Sequence, residues 1–309
     1  MIPSPSQPSS GPRAVAVLLR PAQWTKNLVV LAPLVFAGLL TDPPSAVLAL
    51  QMAVAFGLLA SAGYVWNDLL DRRADRAHPD KRHRPLASGA LGTKAAVLAA
   101  LLCTAAGLAL GRQLQLRAPP LHAAAFGPLA WLLAYLVLGA LYSLLFKRIA
   151  GLDVVVLAAG LVTRAGAGSA ALQLRPSPWL LVCTFGFGLF LALLKRRAES
   201  FALDQRMQLT RPMSPAWPPA LLARALDAAA VAAVLCWLGY ALWSETAAVL
   251  GRPALLLLSP LVAYGVLRAR RLARTPAAGD PVTLLLRDGR ALGAFLLWLA
   301  ALLALLYRP

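Results

Sequence analysis

Acidic residues are scarce in this chain. Only 12 of its 309 residues are Asp or Glu, against 30 Lys and Arg, which gives a formal net charge of +18. In a soluble protein such a balance would indicate nucleic-acid binding. Charged residues of both signs make up only 14% of the sequence, however, and the chain is strongly apolar. Membrane topology and anionic partners therefore explain the cations better, and we expect no nucleic-acid partner.

Cysteine is also rare. Cys103, Cys183 and Cys236 each lie in a different apolar run, which argues against a disulfide framework or a cysteine metal cluster. The chain has no Gly-x-x-x-x-Gly-Lys-Ser/Thr phosphate loop and no recognisable Ser/His/Asp nucleophile arrangement. His78 and His83 are weak evidence for zinc, because no ligand set of suitable spacing accompanies them.

Apolar residues dominate what is present. They form 60% of the chain, the mean hydropathy is +0.69, and runs near the roughly 20 residues that span a bilayer recur along it. We place nine runs at about 27–41, 46–66, 95–111, 121–146, 150–172, 178–194, 219–243, 247–267 and 291–307. The sequence predicts an all-α, polytopic membrane bundle of about nine transmembrane helices. Residues 1–13 are predicted to be a disordered arm, and 14–309 a single transmembrane domain.

The distribution of Lys and Arg predicts the orientation of this bundle. If the runs alternate in direction, nearly all cations between runs fall on one side of the membrane. The opposite side has only Arg112, Arg117, Arg175 and Arg252. Because cytoplasmic loops carry the excess of Lys and Arg, the cation-rich side is expected to be cytoplasmic. We therefore expect a multi-pass protein of a bacterial-type inner (plasma) membrane, with its active site facing the cytoplasm.

A charged segment at residues 67–89 follows the second run. Asp68, Asp71 and Asp75 are spaced so that a continuing helix would place all three carboxylates on one face. Their mutual repulsion at a helix C-terminus is unfavourable unless a cation compensates it. Oxygen ligands suit Mg²⁺, which binds through a few carboxylates plus substrate phosphates, and Asn67 could add a carbonyl ligand. The segment therefore predicts a magnesium site, and the alternative is an ordinary solvated loop.

Basic side chains near this segment are candidates for binding phosphate. Lys81, Arg82 and Arg84 follow the aspartates directly and supply donors that match phosphate oxygens. Arg164 lies within an apolar run, where a charge is expensive, so it is expected to face a polar cavity or a partner. Its small neighbours, such as Gly168, would allow close helix packing. The cations from Lys195 onwards form either a second phosphate-binding loop or a topology anchor.

Taken together, these features resemble the UbiA superfamily of intramembrane prenyltransferases. The resemblance rests on Asn67-Asp68-x-x-Asp71-x-x-x-Asp75, the segment from Pro79 to Arg84, the nine runs and the charged loop after the sixth run. It covers nearly the whole chain. It implies an all-helical bundle with a cytoplasmic mouth, a Mg²⁺-diphosphate held by the aspartates, and a lateral opening for a lipid substrate.

Further motifs resemble the subgroup of phosphoribosyltransferases that act on decaprenyl phosphate. These motifs are Arg20-Pro21-x-x-Trp24-x-Lys26-Asn27, His78-Pro79-x-Lys81-Arg82-x-Arg84-Pro85, Tyr142-Ser143 before Lys147, Arg164-Ala165-x-Ala167-Gly168, Lys195-Arg196-x-x-Glu199, Asp280-Pro281 and Leu286-Arg287-Asp288. The wider family usually has an Asp-x-x-x-Asp motif after the sixth run, where this chain has mainly basic residues. Phosphoribosyl pyrophosphate carries a 5-phosphate besides its diphosphate, and the lipid acceptor adds another phosphate, so this substitution favours the phosphoribosyl interpretation.

The resemblance implies a Mg²⁺-dependent pentosyltransferase that moves 5-phosphoribose from phosphoribosyl pyrophosphate to a polyprenyl (decaprenyl) phosphate and releases pyrophosphate. Its partners would be these two substrates and membrane lipids, and a homo-oligomer stays open. The candidate catalytic residues are Asp68, Asp71, Asp75, Lys195 and Glu199. The candidate substrate-binding residues are Lys26, Asn67, Lys81, Arg82, Arg84, Tyr142, Lys147, Arg164 and Arg196. The candidate metal ligands are Asn67, Asp68, Asp71 and Asp75.

Two alternatives remain open. The same scaffold and aspartates would serve a prenyltransferase that moves a prenyl chain from a prenyl diphosphate to an aromatic or other small acceptor. A non-catalytic transporter or lipid-binding protein could instead use the basic loops for anionic head groups. That second alternative predicts binding without Mg²⁺ dependence, and it leaves the spacing of the aspartates unexplained.

Overall fold

The structure, a computed structural model, describes residues 11–77, 81–117, 126–204, 217–250, 252–273 and 285–307. Within these ranges all regular elements are helices, which confirms the all-α prediction. Most of the predicted arm, residues 1–10, lies outside the described residues. The α-helices are α1 (Pro12–Leu19), α2 (Ala32–Phe36), α3 (Pro43–Leu70), α4 (Arg72–Ala77), α5 (Pro85–Ser88), α6 (Thr93–Arg117), α7 (Pro128–Leu144), α8 (Leu152–Ala171), α9 (Pro178–Asp204), α10 (Pro219–Trp243), α11 (Glu245–Leu250), α12 (Arg252–Leu256), α13 (Ser259–Leu272) and α14 (Gly289–Leu306). Segments Pro21–Leu31, Lys81–His83 and Phe146–Arg148 are 3₁₀ helices.

Six of the described helices are long and apolar enough to cross a membrane, namely α3, α6, α8, α9, α10 and α14. Helix α7 is apolar but has only 17 residues. The predicted count of nine spans is therefore not confirmed. The positions of the six long helices nevertheless agree with six of the predicted runs.

Proline and glycine divide two of the predicted runs into short helices. In the first run, a 3₁₀ helix gives way to α2, which has Pro33 in its first turn and ends before Gly38, whose φ is +73°. The eighth run is divided among α11, α12 and α13, and α13 starts with Pro260 in its first turn. Proline has no backbone N–H to donate, so it suits the start of a helix and interrupts its interior.

The helices follow one another around the bundle. Contacts join α3 to α6, α6 to α7, α7 to α8, α8 to α9, α9 to α10, α10 to α13 and α13 to α14. The 3₁₀ helix Pro21–Leu31 packs against both α3 and α8. At the end of α14, the Tyr307 hydroxyl accepts a hydrogen bond from Leu40 N (2.9 Å) and donates one to Val35 O (3.2 Å). This contact connects α14 to the segment between α2 and α3.

Small residues allow α8 to pack closely. Gly168 faces the backbone of Val30, and a Cβ added to it would overlap the Val30 carbonyl oxygen. Ala165 and Ala167 are fully buried. This arrangement confirms the packing function expected for the small residues around Arg164. It also brings α8 against the Pro21–Leu31 helix, so that both contribute to the same cavity.

Candidate functional site

A cavity of about 840 Å³ lies between the Pro21–Leu31 helix, α3, α7, α8 and α9. Its wall is mainly apolar, and includes Val29, Leu59, Leu138, Leu157 and Leu191. The charged residues among its described lining are four cations, namely Arg20, Lys26, Arg164 and Lys195, and none of these described lining residues is a carboxylate. The cavity therefore suits a molecule that combines anionic groups with an apolar part.

The aspartates of the charged segment lie beside this cavity, where α3 passes into α4. Although α3 ends at Leu70, Asp71 N donates to Asn67 O (2.9 Å) and Asp75 N donates to Asp71 O (2.8 Å). Helical hydrogen bonding thus continues across the boundary, as the spacing predicts. Asp68 and Asp75 are buried, and Asn67 lines the cavity.

Each of these aspartates is paired with a cation. Arg84 Nη1 bridges two of them, at 3.0 Å from Asp68 Oδ1 and 2.8 Å from Asp75 Oδ2. The third, Asp71, accepts from Lys147 Nζ at 3.0 and 3.3 Å. Arg84 and Lys147 were both predicted to bind substrate phosphates, and in this structure they neutralise the carboxylates. Opposite charges at such distances offset the repulsion that the clustered aspartates would otherwise create.

Arg20 lies at this site, although no site role was predicted for it. Its Nη2 donates to both carboxylate oxygens of Asp68 at 2.6 Å, and its guanidinium lies 5.3 Å from the centroid of the Tyr64 ring. Its backbone is left-handed, with φ +52°, a conformation that is uncommon for a non-glycine residue. The available signal was a cation directly before Pro21, at the start of a helix.

The carboxylate oxygens of the aspartates are ligands that suit a divalent cation. Asp75 Oδ1 is buried and has no hydrogen-bond partner among the described residues, so a positive ligand would satisfy it. No group of three His, Cys, Asp or Glu side chains in the described part is arranged closely enough to hold a metal ion. The assignment of Asn67, Asp68, Asp71 and Asp75 as metal ligands stays a prediction.

Arg164 provides a buried positive charge at the cavity wall. Its side chain donates to three neutral acceptors: Nε to Asn27 Oδ1 (2.8 Å), Nη1 to Gly160 O (2.6 Å) and Nη2 to the Tyr135 hydroxyl (3.2 Å). Its guanidinium also stacks 4.6 Å from the centroid of the Tyr135 ring. None of these acceptors is a carboxylate, so the charge is oriented but not neutralised by them. Arg164 thus has polar partners and lines the cavity, in agreement with the expectation for a charge within an apolar run.

Lys195 and Arg196 point in different directions. Lys195 lines the cavity, whereas Arg196 is buried and donates from Nε to Asp153 Oδ2 (2.6 Å), from Nη1 to Glu199 Oε2 (2.6 Å) and from Nη2 to the Tyr142 hydroxyl (3.0 Å). Of the two predicted phosphate ligands, Lys195 is the one in the cavity. Asp153 had no predicted role, although an acid at the start of an apolar run was a visible signal in the sequence.

Other predicted residues lie elsewhere. Lys81 and Arg82 are in a 3₁₀ helix and are not among the described lining residues of the cavity. Arg82 is exposed and donates to His83 Nε2 at 3.2 Å. Asp288 accepts from Ala291 N and from Arg268, and therefore caps α14. His78 and Asp280 fall outside the described residues.

Comparison with known proteins gives consistent results. The model of the UbiA prenyltransferase family matches residues 28–299. The uncharacterised protein y4nM of Sinorhizobium fredii is 34% identical over 280 residues, which are 87% of this chain and 51% of y4nM, so the chain spans about half of that relative. The decaprenyl-phosphate phosphoribosyltransferase of Mycolicibacterium smegmatis is 34% identical over 250 residues, 77% of this chain and 74% of that enzyme. The enzyme of the same name from Corynebacterium glutamicum is 34% identical over 229 residues, 73% of this chain and 65% of that protein.

Two solved structures show the same fold. A UbiA homolog from Archaeoglobus fulgidus bound to DMAPP and Mg²⁺ matches with a TM-score of 0.68 and 19% identity, over 96% of this chain and 100% of that chain. The same homolog bound to GPP and Mg²⁺ matches with a TM-score of 0.66 and 20% identity, over 95% and 99% of the two chains. At these identities the likeness concerns the fold.

Proposed function

Because the chain belongs to the UbiA prenyltransferase family, and so is a multi-pass membrane transferase, we propose that it transfers 5-phosphoribose from phosphoribosyl pyrophosphate to a polyprenyl phosphate. Pyrophosphate is the second product. We propose further that the reaction depends on Mg²⁺, that the cavity opens to the cytoplasm, and that residues 14–309 form one domain. The name of the curated relatives supports decaprenyl phosphate as the acceptor.

The observation that carries this proposal is the set of cations in the apolar cavity. Lys26, Arg164 and Lys195 all line it, and α9 itself supplies Lys195, at the place where the wider family usually has an Asp-x-x-x-Asp motif. A prenyl diphosphate brings only one diphosphate. Phosphoribosyl pyrophosphate and a lipid phosphate together bring three phosphate-bearing groups, which more fully match the positive charges.

Different side chains bind the phosphate groups and the polyprenyl chain. Arg164 offers a planar guanidinium that its neutral partners hold in place, whereas Lys26 and Lys195 carry compact point charges. Apolar wall residues such as Leu59 and Leu138 accept part of the polyprenyl chain and reduce the access of water. The cavity thus holds both substrates in one place, and such positioning is a large contribution to a two-substrate reaction.

The chemistry requires no side-chain base. An oxygen of the acceptor phosphate, already an anion, attacks C1 of the ribose and forms the new C–O bond. The C1–O bond to the pyrophosphate breaks, and its electron pair leaves with the pyrophosphate, so no proton is transferred. Mg²⁺ bound by Asp68, Asp71 and Asp75, with Asn67, would neutralise charge on the leaving group. Glu199 is 37% exposed and bonded to Arg196, and we propose that it orients a ribose hydroxyl.

The deciding experiment uses purified protein in lipid nanodiscs with ribose-labelled phosphoribosyl pyrophosphate and decaprenyl phosphate. We expect label to enter the lipid fraction, and EDTA to prevent this. A parallel reaction supplies a labelled prenyl diphosphate and an aromatic acceptor. Transfer of the prenyl label alone would favour the alternative that the ligands of the solved UbiA neighbours suggest. Binding without any transfer would favour a lipid-binding protein.

A variant pair then tests the aspartates. Asp71→Asn removes a charge from the predicted metal site, and we expect transfer to fall at least about a hundredfold, which corresponds to about 2.7 kcal/mol of barrier. Asp227→Asn is the matched control, because that exposed carboxylate pairs with Arg270 outside the described cavity lining. Full Mg²⁺-dependent turnover in Asp71→Asn would remove the metal assignment of this residue.

A further inference from the structure

We propose that Asp153 is a positioning residue of the cavity. Through Arg196 it fixes the Tyr142 hydroxyl as a hydrogen-bond donor to a phosphate oxygen of the donor substrate. The inference rests on the proposed function only in requiring a substrate that carries a diphosphate.

Asp153 has both carboxylate oxygens engaged. Its side chain is fully buried at the start of α8, where Oδ1 accepts from Gly151 N (3.0 Å) and Oδ2 accepts from Arg196 Nε (2.6 Å). A buried ion pair of this kind is a poor source of net stability, because desolvation of both charges offsets their attraction. What the pair does provide is a fixed position for the guanidinium, which cannot rotate without breaking a buried contact.

The fixed guanidinium determines how the Tyr142 hydroxyl can act. Arg196 Nη2 donates to its oxygen at 3.0 Å. Since arginine has no acceptor, the hydroxyl proton must point elsewhere. No residue in the described ranges accepts that proton, and the side chain lines the cavity. The hydroxyl is therefore left as a donor towards the cavity, with a positive charge behind it that strengthens the donation.

Lys195 completes this local arrangement. It precedes Arg196 on α9 and lines the same cavity as Tyr142, which lies on α7. The contacts from Arg196 to Asp153 and Tyr142 hold α7, α8 and α9 together at this point. A hydroxyl donor and an ammonium group, presented from two helices joined by one guanidinium, suit an oxygen of a diphosphate.

A double-mutant cycle tests the inference by titration calorimetry with inorganic pyrophosphate and Mg²⁺, using the full chain in nanodiscs. Asp153→Asn keeps the side-chain volume and an acceptor for Gly151 N, but removes the buried one of the two carboxylate charges that hold Arg196, the other being that of Glu199. Tyr142→Phe removes the donor itself. We expect each variant to bind pyrophosphate about tenfold more weakly, and the double variant to be no weaker than either single one. Asp227→Asn and Tyr240→Phe are matched controls outside the described lining, with unchanged affinity expected.

Arg196→Lys provides a second variant if Asp153→Asn unfolds. An ammonium group at this position can still pair with Asp153 but lacks the fork that reaches Tyr142, so the same tenfold loss is expected. Additive losses, giving about a hundredfold for the double variant, would overturn the inference. Unchanged pyrophosphate affinity in Asp153→Asn with a lower unfolding midpoint would also overturn it, since Asp153 would then be purely structural.

The failure of this inference can be told apart from the failure of the proposed function. Pyrophosphate is part of both a phosphoribosyl and a prenyl donor. The double-mutant cycle of pyrophosphate affinity can therefore be interpreted whichever group the wild-type protein transfers. Prenyl transfer together with a coupled cycle would refute the phosphoribosyl assignment alone. Phosphoribosyl transfer together with an uncoupled cycle would refute the role of Asp153 alone.

Discussion

At the scale of single residues, Arg164 shows how a buried charge can be held without being neutralised. Its three acceptors, Asn27, Gly160 and Tyr135, are neutral. A carboxylate partner would have cancelled the charge, and an arginine without partners would have been too unstable to keep inside an apolar bundle. The observed arrangement leaves the positive charge available to an anion in the cavity.

We therefore expect Arg164→Gln to weaken substrate binding more than folding. Loss of the charged donor should weaken binding by about 1.5–3 kcal/mol of free energy, which would raise the KM for phosphoribosyl pyrophosphate roughly 10- to 100-fold. The unfolding midpoint should change little, because no buried charge is left unpaired. The same change at Arg270, a partly buried arginine that bonds to the exposed Asp227, serves as the control in both measurements. An unchanged KM with a lower midpoint would make Arg164 structural.

The role of a single residue was predictable only where it follows from the free-energy cost of burying that residue's own side chain. The burial of Arg164 at a cavity follows from its place in an apolar run. The pairing of Arg20 with Asp68, and of Arg196 with Asp153, joins residues 48 and 43 positions apart. Such pairs depend on how the helices pack, which hydropathy and spacing do not describe.

At the scale of helices, close packing depends on positions where even a methyl group has no room. Gly168 on α8 is such a position, because its neighbour is the Val30 backbone, which cannot rotate away. We expect Gly168→Ala to lower stability by about 1–3 kcal/mol through overpacking. The thermal unfolding midpoint in detergent measures this. Gly293→Ala on α14, where a Cβ would meet nothing within 4 Å, should be neutral or stabilising.

The start of α14 gives a prediction about pH. Asp288 accepts from Arg268 and from Ala291 N, and these bonds lower its pKa from 3.8 to about 2. A carboxyl with a lowered pKa in the folded state stabilises the fold above its unfolded pKa, and this stabilisation is lost as the pH falls through the folded value. Asp288→Asn should therefore unfold at a lower temperature than the wild type at pH 6.

That difference should shrink as the pH falls from about 4 to 2, the window between the two pKa values. Unfolding midpoints measured at pH 6, 4, 3 and 2 test it, with Asp227→Asn as the carboxamide control. A difference that persists at pH 2 would mean that the charge of Asp288 does not stabilise α14.

Helix boundaries were predictable from hydropathy where no proline or glycine interrupts a run. The run at 219–243 coincides with α10. The run at 247–267 is instead divided into three short helices. Hydropathy alone did not predict this division, because it takes no account of the backbone N–H that proline lacks. The count of nine spans came from treating every apolar run as one helix.

At the scale of the whole molecule, the two ends of α3 should lie on opposite sides of the membrane. Thr41 precedes α3 and is exposed, and it belongs to the end where Tyr307 bonds to Leu40. Ser88 is exposed and follows the charged segment at the other end. Because the cations concentrate at this second end, it is expected to face the cytoplasm, where soluble phosphoribosyl pyrophosphate would enter the cavity.

Cysteine labelling in bacterial spheroplasts tests this orientation. A membrane-impermeant maleimide should label Thr41→Cys in intact spheroplasts, and should label Ser88→Cys only after the membrane is permeabilised. The wild-type chain sets the background, because Cys103 and Cys183 are buried and Cys236 is partly buried. The reverse pattern would place the aspartates and the cavity mouth outside the cell, where phosphoribosyl pyrophosphate from the cytoplasm cannot reach them, and the proposed reaction would then be untenable in the cell.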